Sequence, residues 1–147
     1  MKNSILHVIK AFSACAVLGV SSLAAQSHNL VANVPFDFTV MNQHFAAGTY
    51  TVTSENSQGP ILIRGKENGA AMFVLTLPAT SGKTRADAKL VFDRLGSQYF
   101  LRNIWYAGTN EGQQLRISKA ERELAQNSQK PEQTTLVVVN RKPDKPR

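Results

Sequence analysis

Sulfur chemistry is almost missing from this chain. Cys15 is its single cysteine, and it lies inside an apolar stretch near the N-terminus, Ala11 to Val20. One thiol makes no intrachain disulfide and no cysteine metal clip, so stability has to come from a packed core. Histidine is scarce as well: His7 belongs to the same N-terminal region, which leaves His28 and His44 for any chemistry in the body of the chain. There is no His-Glu-x-x-His, no calcium-loop spacing and no Gly-x-Ser-x-Gly elbow. The commonest zinc hydrolase, calcium-sensor and serine hydrolase signatures are thereby excluded. Ser81-Gly82-Lys83-Thr84 has the closing residues of a phosphate loop. Leu77 stands where its leading glycine belongs, and no strand-to-helix pattern surrounds it, so the stretch reads as a surface loop. Long apolar runs are absent too, because a membrane-spanning helix needs about 20 such residues and the run after Lys10 is much shorter.

The N-terminus nevertheless has a clear pattern. Lys2 and Lys10 flank a short segment that leads into Ala11 to Val20, and the small residues of Ser22-Leu23-Ala24 and Ala25-Gln26-Ser27 follow. A basic start, an apolar centre and a small-residue end are the three parts of a secretory signal. Cleavage is expected within a residue or two of Ala25, placing the mature protein in the periplasm or outside the cell. Phe12-Ser13-Ala14-Cys15 faintly resembles a lipoprotein acylation box, but little apolar sequence precedes Cys15 and Ala16 to Val20 continues the run. Cys15 is therefore read as a small hydrophobe of the leader. The expected organisation is a signal peptide over 1–25, one domain over 26–140 and a basic disordered tail over 141–147. A domain of that length buries enough surface to fold without staples. Of the net charge of +7, much lies in the leader lysines and in the tail Arg141-Lys142-Pro143-Asp144-Lys145-Pro146-Arg147. The domain itself is close to balanced, unlike a nucleic-acid-binding body with a basic face.

Period-two alternation dominates the rest. Val34, Phe36, Phe38 and Val40 share one face of a predicted strand, with Asp37 and Thr39 on the other and Pro35 at an edge or start. Thr49 to Thr53 alternates again, with Tyr50 and Val52 inward. Ile61 to Arg64 and Ala71 to Leu77 flank the Asn68-Gly69 turn as a hairpin that Pro78 ends. Lys89 to Leu95 and Gln98 to Tyr106 flank Gly96-Ser97 as another. The runs 71–77 and 98–106 are apolar on both faces, so both are expected in the middle of a sheet. Ser118-Lys119-Ala120-Glu121 has the form of a capping box and opens a short helix. Thr134 to Asn140 makes the last strand. About seven strands and one helix near the C-terminus predict a mainly β fold, an antiparallel β-sandwich or small barrel. The strands are too few and too unevenly apolar for an outer-membrane barrel.

Val34-Pro35-Phe36-Asp37-Phe38-Thr39-Val40 followed by Ala46-Ala47-Gly48-Thr49-Tyr50-Thr51-Val52 resembles the opening of a family of small, uncharacterised, exported bacterial proteins. Those begin with a V-P-F-x-F strand and continue with a P-A-G-x-Y-x-V hairpin; here Ala46 stands in place of the proline. The hairpin through Leu90-Val91-Phe92-Asp93-Arg94 and Tyr99-Phe100-Leu101 and the helix from Ser118 to Ala125 are similar too. The resemblance implies export and a β-rich fold, and brings no activity or site residues.

Candidate functional residues are few. Tyr99, Arg102, Trp105 and Tyr106 offer three aromatic rings around one cation, and are the expected partner or ligand surface if they are not simply core and rim. His28, Asp37 and His44 lack any ligand spacing, and no metal or cofactor is expected. Three functional classes follow. The first is a non-enzymatic module that binds a partner protein or an envelope component. The second is a small barrel carrying an apolar molecule, which requires a closed interior. The third is a hydrolase, which requires Asp37, His44 or Asp93 to converge in a cleft.

Overall fold

The computed structural model describes residues 27–56, 58–127 and 132–138. The expected signal peptide with Cys15, and the basic tail, lie outside the described residues. Eleven strands and one helix are seen within them: β1 (His28–Val34), β2 (Phe38–Val40), β3 (Gln43–Phe45), β4 (Gly48–Ser54), β5 (Ile61–Gly65), β6 (Ala71–Val74), β7 (Thr76–Thr80), β8 (Ala88–Leu95), β9 (Gln98–Trp105), β10 (Glu111–Leu115), α1 (Lys119–Asn127) and β11 (Glu132–Val138). They form two sheets, ordered β1-β4-β5-β6 and β11-β8-β9-β10-β7, with the β2–β3 hairpin joined to the second through β9. Neighbouring strands run antiparallel except at the single β2–β9 pairing, Thr39 to Phe100. The sheets do not close into a barrel; the architecture is a sandwich.

The core between the sheets is built by alternation. Leu30, Ala32 and Val34 of β1, Tyr50 and Val52 of β4, and Ile61 and Ile63 of β5 face Leu90 and Phe92 of β8 and Leu101 and Ile104 of β9. Apolar surface buried in this way stabilises at about 25 cal/mol per Å². The expected 34–40 strand is broken: β1 ends at Val34 and β2 begins at Phe38, so Pro35 sits in the bend rather than in a ladder. Val34, Phe38 and Val40 remain buried, and Phe36 stacks on Tyr99 with ring centroids 4.0 Å apart.

A second difference concerns 71–77, expected to be central. It is two edge strands in succession, β6 on the first sheet and β7 on the second, with Leu75 at the crossing. Pro78 does not end the strand but lies within β7, opposite Gln113, where an edge tolerates the missing amide donor. The run 98–106 is central as expected, flanked by β8 on one side and by β10 and β2 on the other.

One irregularity shapes the second sheet. Phe92 pairs with Leu101 and Val91 with Asn103, which leaves Arg102 as an extra residue in β9. Such a bulge turns the side-chain alternation over. Leu101 and Ile104 thus both reach the core, although three residues apart. Val91, Leu95 and Phe100 are buried outside that cluster, on the opposite face, where Leu95 lies beside α1.

Candidate functional site

Strand alternation already parts Tyr99 and Trp105 from Arg102 and Tyr106, and the bulge shifts which of them face the core. Tyr99 is half-buried between Phe36 and the Arg94 guanidinium, which lies 5.8 Å from its ring. Tyr106 is buried in the core, stacked on His28 at 3.9 Å, with its hydroxyl donating to Gln113 Oε1 at 2.8 Å. Burial pushes the Tyr106 hydroxyl above its ordinary value, partly opposed by Ser54, and holds His28 below its own, partly opposed by Glu111. Trp105 is half-buried on the other face, under the Arg85 guanidinium at 4.5 Å. Arg102 is buried as well. No single face presents all four.

Arg102 is the hub of a buried ionic cluster. Its Nε donates to Asp93 Oδ2 at 2.6 Å, its Nη1 to the Leu115 carbonyl at 3.3 Å, and its Nη2 to Glu121 Oε1. Asp93 also accepts from Gln133 Nε2 at 3.2 Å. Glu121 completes the capping box: its Oε2 accepts from the Ser118 amide at 3.4 Å, while its own amide donates to Ser118 Oγ at 3.2 Å. A cavity of about 320 Å³ opens beside this cluster, bordered by Leu95, Ile117, Arg122 and Ala125. Its floor charges are already spent on one another, so the arrangement fastens α1 and β11 onto β8 and β9 rather than presenting a free charge to a ligand. Arg102 and the capping box are each visible in the sequence on their own. Nothing in the residue pattern joined them, because the contact depends on the bulge.

The groups required for hydrolysis do not meet in a cleft. His44 Nε2 lies 3.5 Å from Asp37 Oδ2 across the β2–β3 hairpin, both side chains largely in solvent, and Asp37 Oδ1 accepts from the Ala47 amide at 2.8 Å. Asp93 is held by Arg102 instead. Among the described residues no three of His, Cys, Asp and Glu group as metal ligands. The closed interior that an apolar carrier requires is also not present, since side chains of both sheets fill the space between them.

The outer surface is more distinctive. Among the described residues the large hydrophobic side chains left exposed are Phe73 (72%), Leu75 (75%), Leu77 (41%) and Ile117 (49%). Three of them alternate along β6 and β7, with Leu75 between the strands. Ile117 follows two residues beyond Leu115, which pairs with Thr76, so it leaves β10 at the end where Leu75 leaves β7. Leu62, half-buried, pairs with Phe73 and widens the row. Among the described residues each of β6 and β7 has a ladder on one side only. The two-faced apolar pattern of 71–77 was legible; that one of its faces meets water was not. Comparison with protein-family models, with curated proteins and with solved structures gave no match.

Proposed function

We propose that the chain is an exported, non-enzymatic module that binds a partner protein by adding an extended segment of that partner to the 71–80 edge. The observation that carries this reading is the row Phe73, Leu75 and Leu77 on strands whose outer edges are unpaired. An open strand edge is a template for pairing with another chain, and isolated proteins normally blunt such edges with charge. Here the row carries no charge between Ala71 and Thr80, and its one proline, Pro78, falls in β7, which leaves β6 as the more open edge. Side chains at every second position match the repeat of an incoming strand, in which main-chain hydrogen bonds give affinity and alternate side chains give specificity. An exposed contiguous apolar row of this kind marks an interaction site more often than an idle surface.

The test is photo-cross-linking in a bacterium that exports the protein. A photoreactive phenylalanine analogue replaces Phe73 or Leu75, and Thr51 on the outward face of β4 serves as the control. The expected result is a covalent adduct to a different protein from positions 73 and 75 and none from 51. Adducts only between copies of this chain would assign the edge to self-association and overturn the reading. Uncoupled chain at both positions would overturn docking at this edge altogether.

A further inference from the structure

The loop between β7 and β8 carries a second, chemically different feature. Residues 81–87 and Lys89 line a cavity of about 450 Å³ at one end of the second sheet, to which Lys83, Arg85 and Lys89 contribute three cations and Asp87 the single acid. Among the described residues none of these three cations has a carboxylate partner within 4.0 Å; the ion pairs fall elsewhere. Arg85 Nε is buried and has no hydrogen-bond partner, although an unpartnered buried donor on a charged group is costly and normally avoided.

The loop is held in place, not loose. The Arg85 amide donates to the Thr109 carbonyl at 3.0 Å, and the Arg85 carbonyl accepts from the Gly108 amide at 2.8 Å. The Ser81 amide donates to the Asn110 carbonyl at 2.8 Å, and Ser81 Oγ donates to the Lys83 carbonyl at 2.6 Å. The Arg85 guanidinium lies over the Trp105 ring, and Lys89 sits directly across the ladder from that same tryptophan. Trp105 in turn lies against Gly112, where a Cβ would collide with its ring and with the Ile104 carbonyl. An arginine oriented by an aromatic face presents its donor fork with little ordering left to lose. Val138 pairs with Ala88 at the root of this loop, and the sequence that continues from it includes Arg141 and Lys142.

We propose that the basin formed by Lys83, Arg85 and Lys89 over Trp105 binds a phosphate group. A tetrahedral oxyanion in the basin takes charge-assisted bonds from Lys83, Lys89 and the Arg85 Nη groups, the Nε itself being closed off, and such bonds are roughly twice as strong as neutral ones. The same chemistry is offered by the headgroup of an anionic lipid and by a soluble phosphate ester. This inference is independent of the 71–80 edge, so either site stands if the other fails.

Trp105 is the only tryptophan in the chain, which makes its fluorescence a direct reporter. Titration of the mature protein with inorganic phosphate is expected to give a saturable change that sodium chloride at matched ionic strength does not. Arg85→Met, which keeps the aliphatic stem on the ring, and Lys89→Gln are each expected to weaken it by about tenfold or more. A paired Arg141→Gln and Lys142→Gln variant leaves it in place. Sedimentation with phosphatidylglycerol vesicles, against phosphatidylcholine alone, then separates the sources. Uptake that phosphate competes away assigns a lipid headgroup, and phosphate binding without uptake assigns a soluble ester. The proposal is overturned by a non-saturable response, by an unchanged response in folded Lys89→Gln, or by vesicle uptake indifferent to both variants.

Discussion

Arg102 shows how one residue's role is set by its surroundings. It is the hub for two carboxylates, Asp93 and Glu121, all three well buried. Removing one partner of a buried ionic group leaves the others uncompensated and costs about 3–5 kcal/mol, whereas replacing all members with apolar side chains is often close to neutral. Arg102→Met is therefore expected to lower the urea midpoint sharply, and the triple change Arg102→Met, Asp93→Leu and Glu121→Met to recover most of the loss. A single variant with an unchanged midpoint would contradict the geometry. His28 gives a pH-dependent counterpart. Burial against Tyr106 holds its pKa below the ordinary 6.5, so the unfolded chain takes up this proton before the folded one does. The stability that depends on neutral His28 is complete above 6.5, is lost as pH falls through that value, and stops falling below the folded pKa. His28→Phe keeps the stacking and removes the titration. Thermal melts of the variant between pH 7 and 5 are expected to shift less than those of the parent, and equal shifts would remove His28 from the account.

Among the elements, β10 joins the two halves of the sandwich through one side chain. Gln113 Nε2 reaches Ser54 Oγ at 3.2 Å and the carbonyls of Asn56 and Gly59 at 3.0 and 3.1 Å, while its Oε1 accepts from Tyr106. Gln113 is completely buried. Gln113→Leu fills the volume but strands these groups, at about 1–3 kcal/mol for each that water fails to reach. The variant is expected to unfold at a clearly lower denaturant concentration, with faster amide exchange at the end of β4; exchange unaltered there would show that Gln113 does not join the sheets. The sequence foretold none of this, since β10 reads as Glu-Gly-Gln-Gln-Leu, polar and glycine-containing, and β7 is interrupted by a proline at its centre. The capping box over Ser118 and Glu121 and the turn at Gly96, with φ of +62°, were legible because local chemistry alone decides them.

At the scale of the molecule, periodicity revealed the class of fold because burial of one strand face is a local imprint of a global sheet. It could not distinguish the centre of a sheet from its edge, because a strand apolar on both faces is either covered twice or covered once and sticky. The 98–106 run was the first case and 71–77 the second. The bulge at Arg102 was equally hidden, whereas alternation alone already keeps Tyr99, Arg102, Trp105 and Tyr106 off one face. The N-terminal pattern makes its own prediction. Expression of the full-length gene followed by intact-mass measurement is expected to give a product beginning close to Gln26. A product that retains Cys15 with an added lipid mass would replace the signal-peptidase reading with a lipoprotein one.

The pairing of β11 with β8 also sets a timetable. These strands are separated by β9, β10 and α1, and among the described residues β8 has no other neighbour on that side. A ribosome or a secretion pore releases the C-terminal strand last, so until then β8 shows a naked edge and Asp93 lacks its Gln133 contact. Pairing across such distances along the chain is slow compared with hairpin closure. The second sheet is thus completed only after β11 has been delivered, and chains that lack it are the species most exposed to proteases and to misassembly.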